Sequence, residues 1–265
     1  MIPGVLSNTQ RQDQMAKAVK RFPMLDRRLY VSSPNRLTLI CYGPSLRETW
    51  HQIRWLDQSK MTVSGAHDFC VEHDIIPTWH VDIDPREHKP KMLRNPRPET
   101  KYLMASCCHP DFWDVLKGYD VQLWHLINGD DNETMSWVHR HHPEGINSCI
   151  GGGSTVGQRA MNVAAVLGFR KFDVFGMDCS FGDRQHAAKH ENPSLRVQRV
   201  LYCGKHYMTS PQLLQAAFEM KGFLEGTSDA DVHFYGEGLM QAMARNIRRP
   251  HERITDSGEL GKSNG

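Results

Sequence analysis

The run Leu37-Thr-Leu-Ile-Cys-Tyr42, followed directly by Gly43-Pro44-Ser45-Leu46, decides the fold. Its first six residues are apolar or β-branched, as in a buried strand, and the glycine and proline end that strand in a turn. Ser45, with Glu48 three residues later, predicts the capped start of a helix. The segment therefore predicts a strand, a tight turn and a helix in succession.

The same alternation continues along the chain. Strand-like runs occur at 61–64, 78–83, 101–106, 121–126, 171–176 and 231–235. Helical patterns occur at 66–72, 111–117, 155–167, 211–224 and 237–247. Strands that alternate with helices of this length predict a doubly wound α/β fold, in which helices cover both faces of a mostly parallel sheet. Ligands bind such sheets at the carboxyl ends of the strands, so we expect the functional residues directly after the strands.

Length and composition bound the organisation and the location of the protein. We expect an N-terminal arm over residues 1–35, one nucleotide-dependent domain over 36–250 and a flexible tail over 251–265. The net charge of +2, from 32 basic and 30 acidic residues, lacks the basic excess of an obligate nucleic-acid binder. Seven scattered cysteines, no secretory leader and no apolar run of about 20 residues predict a cytoplasmic protein with reduced, buried thiols and no membrane span.

Two glycine-containing turns are candidate phosphate cradles. Gly43, Pro44 and Ser45 follow the first strand, and Gly151-Gly-Gly-Ser-Thr-Val-Gly157 precedes a helix. Backbone N–H groups at a helix start attract anions, and glycine lets a ligand approach closely. The alternatives are an ordinary strand-to-helix turn and a flexible linker. Neither turn has the Gly-Lys-Ser/Thr ending of a P-loop or the GxGxxG spacing of a dinucleotide site.

A third motif, Phe175-Gly-Met-Asp178-Cys-Ser-Phe181, is followed by His186 and His190. An unpaired carboxylate at the end of a buried strand is costly, so Asp178 must hydrogen-bond to backbone or ligand groups or take part in chemistry. The two histidines have a spacing that suits zinc if the segment is helical. The glycine and proline around them favour a loop, and a general base or a phosphate-binding imidazole is the preferred interpretation.

A fourth motif, His80-Val-Asp82-Ile-Asp84-Pro85, places two carboxylates at alternate positions of a strand. Such side chains point the same way and can hold Mg²⁺ beside phosphates. Asp84 before a proline is equally typical of a simple turn. Both interpretations stay open.

Taken as a set, these motifs resemble the MptE-like family. The resemblance rests on Gly43-Pro44-Ser45-Leu46, Asp82-x-Asp84-Pro85, Gly152-Gly-Ser-Thr-Val and the run from Ala165 to Asp178. Its named member is an archaeal 6-hydroxymethyl-dihydropterin diphosphokinase, and motility-associated glycosyltransferases carry a related domain. Similar small proteins also occur in bacteriophage genomes, so a phage origin is one interpretation. The resemblance covers roughly residues 37–235 and implies a Rossmann-like transferase fold.

Parts of the chain are also similar to single-domain bacterial sialyltransferases. That similarity implies donor contacts from Gly43, Pro44, Ser45, Ser154 and Thr155, with Gly152 and Gly153 in the same loop. It also implies that His190 is the general base, although the short connection from Asp178 leaves His186 as the other choice.

The favoured function is glycosyl transfer from a nucleotide sugar to an acceptor hydroxyl, with catalytic roles for His190, His186 and Asp178 and no required cofactor. The alternative is a diphosphokinase that holds Mg²⁺ at Asp82 and Asp84, and a non-catalytic nucleotide-binding protein is the third. The expected partners are a nucleotide or nucleotide-sugar donor and an acceptor that is a small molecule, a glycan or a modified nucleic-acid base. A homo-oligomer is compatible with the sequence.

Overall fold

The structure, a computed structural model, describes residues 6–129, 132–188, 195–227 and 230–247. Ten strands are present in these residues: β1 (Arg36–Ile40), β2 (Lys60–Val63), β3 (Trp79–Asp82), β4 (Lys101–Ala105), β5 (Val121–Leu126), β6 (Cys149–Ile150), β7 (Lys171–Phe175), β8 (Gln198–Tyr202), β9 (Lys205–Thr209) and β10 (Asp231–Tyr235). Seven of them match the predicted strands to within one or two residues at each end.

Eight α-helices connect or flank these strands within the same residues. They are α1 (Asn8–Ala18), α2 (Leu46–Ile53), α3 (Ala66–Val71), α4 (Asp111–Val115), α5 (Asn132–His141), α6 (Val156–Val166), α7 (Pro211–Gly226) and α8 (Leu239–Arg245). Short 3₁₀ turns occur at Arg27–Leu29, Pro90–Met92 and Pro143–Ser148.

Eight strands form one sheet in the order β10-β7-β1-β2-β3-β4-β5-β6. All of its paired neighbours are parallel. The chain runs outward from β1 to β6, then returns to the other side of β1 to add β7 and β10. This arrangement confirms the predicted doubly wound α/β class. The direction of winding reverses between β1 and β7, and sheets of this kind usually bind ligands at such a switch point, beside the carboxyl ends of the two strands.

Helices cover both faces of the sheet, as the alternation along β1 shows. Leu37 and Leu39 belong to the larger buried cluster, whereas Ile40 belongs to a second cluster on the opposite face. The second cluster contains the apolar residues of α2 and α3, and the larger one contains Ala160 and Ala164 of α6. Small side chains let α6 pack closely against β1, β2 and β3.

The N-terminal residues pack against the sheet. Met15, Ala18 and Leu25 are almost fully buried in the larger cluster. Leu25 N donates to Leu123 O at 2.7 Å, so residues beside Met24 run along the edge of β5. The boundary at residue 35 stays a prediction, and the predicted tail over 251–265 lies outside the described residues.

Strands β8 and β9 form an antiparallel hairpin outside the main sheet. Its two turn residues, Cys203 and Gly204, have φ values of +47° and +75°. Two positive φ angles are those of a type I′ turn, whose twist matches that of paired strands. The hairpin was not among the predicted strands, because it inserts between β7 and α7 without continuing the β-α alternation.

The cysteines agree in part with the prediction of reduced, buried thiols. All seven are free, and five of them are buried. Cys149 is half-buried and Cys203 is exposed, so the prediction was wrong for those two. No helix in the described ranges has the length and apolar character needed to cross a bilayer.

Candidate functional site

Asp178 follows β7 at the switch point between β1 and β7 and joins the turns that follow three strands. Its carboxylate accepts hydrogen bonds from Ser45 N at 2.8 Å, Ser45 Oγ at 2.5 Å and Gln241 Nε2 at 2.9 Å. The side chain is 2% exposed, and burial raises its pKa above the usual aspartate value. Three donors around one carboxylate hold the loop after β1 and the start of α8 in fixed positions.

Glycines allow these turns to approach each other. A Cβ on Gly43 would lie 2.4 Å from Gly176 O and 2.5 Å from Asp178 Oδ2. A Cβ on Gly238 would lie 2.6 Å from Asp178 Cβ. Gly236 has φ +107°, and a Cβ there would lie 2.4 Å from Ser45 Oγ. No larger residue fits these three positions without moving Ser45 or Asp178.

The predicted capping role of Ser45 was wrong. Ser45 has helical backbone angles (φ −65°, ψ −16°), and its side chain makes no capping hydrogen bond to α2. The residue is only 7% exposed, and its hydroxyl donates to Asp178 instead. The hydroxyl of Ser45 therefore binds the carboxylate of Asp178, which is distant in sequence, and does not form the local capping box. Glu48, the other residue of that box, is exposed on the helix surface.

The second predicted loop lies before α6 and has the geometry of an oxygen cradle. Gly152 and Gly153 have φ +86° and +76°, and Thr155 caps α6 in a capping box with Gln158. The N–H groups of Ser154 and Thr155 and the Thr155 hydroxyl all donate to one oxygen, Gln158 Oε1, over 2.9–3.1 Å. Three donors that converge on one atom suit an oxygen acceptor.

The first turn of α6 faces the end of β1. A Cβ on Gly157 would lie 2.8 Å from Cys41 Sγ and 2.9 Å from Met177 Cε. Cys41 and Met177 immediately precede the turns that carry Gly43 and Asp178. The helix that the second loop opens therefore packs against the ends of both β1 and β7.

His186 lies beside the first loop. Its ring stacks on Tyr42, with centroids 5.4 Å apart and planes 12° apart. The neighbouring Ala187 N donates to Tyr42 O at 3.1 Å, and Gly182 packs near Pro44. These contacts hold the imidazole at the carboxyl end of β1. His190 lies outside the described residues, so the choice between the two histidines stays a prediction.

Asp82 and Asp84 lie at the end of β3, two strands from β1, and have different surroundings. Asp82 Oδ1 accepts from Ile83 N at 2.7 Å and from Asp84 N at 3.1 Å. Burial raises the pKa of Asp82 to about 6. Asp84 is ion-paired with Arg86 at 2.5 Å and lies 3.5 Å from Lys89 Nζ, and these contacts lower its pKa although burial opposes them.

A divalent cation at this pair would have to compete with the contacts that the two carboxylates already make. Both oxygens of Asp84 already accept from Arg86, and Oδ1 of Asp82 is taken by two backbone N–H groups. Within the ranges that the structure describes, no group of three histidine, cysteine, aspartate or glutamate side chains is arranged to hold a metal ion.

Some residues at this edge were missed by the sequence reasoning. Gln241, Gly236 and Gly238 belong to the site through Asp178 and Ser45, and Lys89 belongs to it through Asp84. Gly236-Glu-Gly238 directly follows the predicted strand at 231–235. This segment could have been predicted by the same rule as the other turns, namely that ligand-binding residues directly follow strands. The sequence next to Gln241 and Lys89 contains no motif that would predict their part in the site.

The geometry defines a doubly wound α/β protein with two glycine loops near the switch point of its sheet. The chain belongs to the MptE-like family, described as 6-hydroxymethylpterin diphosphokinase MptE-like, whose model matches residues 12–184. The family predicted from the motifs is thereby confirmed. A diphosphokinase transfers a group from a nucleotide, so the family associates the chain with nucleotide-related transferases.

A solved structure has a similar fold. A MAf glycosyltransferase from Magnetospirillum magneticum AMB-1 superimposes with a TM-score of 0.61 at 14% sequence identity. The match covers 94% of this chain and 41% of that chain, so this chain spans less than half the length of that protein. At this identity the match supports the fold alone. A comparison with curated proteins gives no match.

Proposed function

We propose that this protein is a transferase that uses a nucleotide-activated donor, and that it transfers a glycosyl group to an acceptor hydroxyl. The observation that carries the proposal is the topological switch point between β1 and β7, where the loop held by Asp178 lies near the start of α6. In sheets of this winding, such a switch point is the usual binding place of nucleotides.

The donor phosphates would bind at the two loops. Gly43, Pro44 and Ser45 supply a rigid backbone, because Asp178 fixes Ser45 through both its N–H and its hydroxyl. In the second loop, the donors of Ser154 and Thr155 that now meet Gln158 Oε1 would bind phosphate oxygens. The positive end of the α6 dipole adds to this attraction, with Gly152 and Gly153 giving close access. Asp178 thus acts as a positioning residue in this proposal.

Glycosyl transfer needs a base near the reacting hydroxyl. A neutral imidazole, that of His186 or His190, would take the proton of the acceptor hydroxyl. The acceptor oxygen then forms a bond to the anomeric carbon, while the bond from that carbon to the phosphate oxygen breaks. The nucleotide leaves with the electron pair, and the loop donors stabilise its developing charge. The stacking of His186 on Tyr42 supports this histidine as a base or as an orienting group.

The second candidate is a Mg²⁺-dependent diphosphokinase, which the family description favours. Asp82 and Asp84 are the residues that would hold the ion. The ion pairs of Asp84 with Arg86 and Lys89 argue against this Mg²⁺ site, because the ion would first have to displace the two basic side chains. A non-catalytic nucleotide-binding protein is a third candidate, because a fold alone does not fix chemistry.

A thermal-shift panel of nucleotides and nucleotide sugars, with Mg²⁺ or EDTA, tests the proposal. A ligand at about 100 times its Kd should stabilise the protein by about 2.7 kcal/mol. We expect nucleotide sugars to stabilise it and donor turnover to survive EDTA. Turnover that is lost with EDTA and rescued by Mg²⁺ would favour the diphosphokinase, and binding without turnover would favour the non-catalytic protein.

Substitution of the histidines tests the base. His190→Ala should lower kcat by about 10²–10⁴-fold with donor binding nearly unchanged. His186→Ala should have a milder effect if this histidine only orients phosphate or its neighbour. A larger loss of kcat in His186→Ala than in His190→Ala would make His186 the base and His190 the orienting residue. Full activity in both variants would rule out a histidine base.

A further inference from the structure

A cavity of about 540 Å³ lies between α1 and the loops that follow β3 and β4. Its walls include Gln14 and Lys17 of α1, Arg86 and His88 after β3, and His109 and Pro110 after β4. The volume falls in the range of small-molecule sites. Because β3 and β4 are parallel, the cavity is at the same edge of the sheet as the proposed donor site.

The wall that α1 contributes is a polar stripe. Gln10, Asp13, Gln14 and Lys17 line the cavity at the i, i+3, i+4 and i+7 spacing of one helix face. Gln10, Asp13 and Lys17 are exposed, as on the solvent side of an amphipathic helix, and Gln14 is the buried residue among the four. Four polar residues on the face that lines a cavity suit a ligand that forms hydrogen bonds.

Gln14 is the most buried member of this stripe. It is 8% exposed, and its Oε1 has no hydrogen-bond partner in the part of the chain that the structure describes. A buried acceptor without a donor is destabilising unless another molecule supplies one. A ligand hydroxyl is such a donor.

The charges around the cavity are mostly paired within the protein. Lys17 contacts Asp13 at 2.6 Å, Arg86 contacts Asp84 at 2.5 Å, and His109 lies 3.6 Å from Asp111. A strongly anionic or cationic ligand would have to compete with these pairs. Hydroxyl groups both donate and accept, so they bind between paired charges without breaking them. Pro85 and Pro110 add apolar C–H groups to the cavity wall, which suit the C–H groups of a sugar ring.

Contacts connect this cavity to the proposed donor site. Arg86 binds Asp84, and Lys89 lies 3.5 Å from Asp84 while it donates to Ser64 Oγ at 3.1 Å at the end of β2. The next residue, Gly65, packs on the ring of Tyr42 at the end of β1. Two strand spacings, or about 10 Å, separate β1 from β3, so an acceptor bound in the cavity has to extend along the strand ends to reach the donor loops.

We propose that this cavity is the acceptor site, and that it binds a neutral, polyhydroxylated ligand of the sugar class. The assignment rests on the proposed glycosyl transfer. The stripe on α1 recognises the hydroxyls, and the loops after β3 and β4 direct one hydroxyl toward the donor loops.

Saturation-transfer NMR on the full chain tests the ligand class, with glucose and N-acetylglucosamine as neutral probes, glucuronate as the anionic probe and neopterin as the aromatic probe. We expect signal from the neutral sugars. Gln14→Met keeps the side-chain length but removes the buried acceptor, and should weaken their binding at least about fivefold. The matched control is Thr9→Val, an exposed change on α1 outside the cavity wall, which should leave binding unchanged.

Thermal unfolding of the same variants shows whether each is folded. Gln14→Met should unfold at or above the midpoint of the wild type, since it removes an unpartnered polar atom. Equal sugar binding in all variants, no sugar signal, or stronger binding of glucuronate or neopterin would each overturn the assignment. As a second variant, Lys17→Met removes an exposed charge from the same stripe and should also weaken sugar binding.

Nucleotide binding separates this proposal from the proposed function. Gln14→Met should leave thermal stabilisation by the donor nucleotide unchanged. If no nucleotide binds while sugar binding still depends on Gln14, the donor proposal fails and the cavity assignment stands. If donor turnover is present and the KM for the acceptor is the same in Gln14→Met, the cavity assignment fails alone.

Discussion

Gly43 shows how a single residue supports the proposed donor loop. A Cβ at this position would lie within 2.5 Å of Gly176 O and Asp178 Oδ2, two groups that are themselves held in place. We expect Gly43→Ala to lower the free energy of unfolding by about 1–3 kcal/mol, as overpacking does, and to abolish stabilisation by nucleotides. Denaturant unfolding and thermal shift measure the two effects.

The control for Gly43→Ala is Gly182→Ala. A Cβ on Gly182 would lie 3.6 Å from Pro44 Cβ, an ordinary contact in the same region. This variant should keep both stability and nucleotide binding. Similar losses in the two variants would show that the tight packing around Gly43 is not what matters.

Asp82 should make stability depend on pH in the opposite sense to its neighbour Asp84. Burial raises the pKa of Asp82 to about 6, so the folded protein binds this proton more tightly than the unfolded chain does. The stability that Asp82 contributes by binding this proton is fully present below the pKa of Asp82 in the unfolded chain. It is lost as the pH rises through about 6. The lowered pKa of Asp84 gives stability that is lost as pH falls.

Asp82→Asn should therefore be more stable than the wild type at pH near 7.5, by up to about 3 kcal/mol, and the difference should vanish toward pH 4. The amide oxygen can still accept from Ile83 N and Asp84 N. Thermal midpoints across this pH range measure the effect. Asp74→Asn, at a side chain that is 88% exposed, is the matched control and should not give the gain in stability at pH 7.5. A stability difference between Asp82→Asn and the wild type that grows as the pH falls would contradict the raised pKa of Asp82.

At the scale of elements, the start of α6 depends on its cap. Thr155 accepts from Gln158 N and donates to Gln158 Oε1, so it orders the glycine loop as well as the helix. Thr155→Ala should cost about 0.5–2 kcal/mol of stability and weaken nucleotide binding, whereas Thr155→Ser should keep most of both. Urea unfolding and thermal shift provide the measurements. If alanine leaves nucleotide binding intact, the loop does not hold the donor.

The elements show why most of the fold could be predicted. Seven strands and the helix after the glycine loop follow from hydrophobic runs that end in glycine, proline or serine, which are local signals. Strand β6 is two residues long, too short to leave a pattern. The hairpin β8–β9 has one face exposed, with Arg199, Leu201 and Met208 pointing out, so its strands do not form the apolar runs of the main sheet.

The candidate site could be predicted only in outline. The parallel sheet brings the turns after its strands to one edge, so Gly43, Asp82 and Asp178 could be found from their positions alone. The pairing of Ser45 with Asp178 spans 133 residues, and nothing near Ser45 shows that its hydroxyl would leave the helix cap. The ion pairs of Asp84 also depend on how the chain folds back after Pro85.

At the scale of the molecule, the question is whether α1 belongs to the same cooperative unit as the sheet. Met15 is 1% exposed in the larger core cluster. We expect Met15→Ala to lower the free energy of unfolding by about 2–5 kcal/mol, with unfolding still in one calorimetric transition. The control is Met208→Ala, at 43% exposure, which should change stability little. A negligible effect of Met15→Ala would make residues 1–35 a separate arm.

The turn between β8 and β9 has a practical consequence for spectroscopy. Cys203 is exposed there, whereas burial raises the pKa of each of the other six thiols. Maleimide reagents attack the thiolate, so they should modify Cys203 first in the native chain. A fluorophore or spin label could then be attached to the hairpin without removing any other cysteine. Such a label would report whether the hairpin moves when a nucleotide binds.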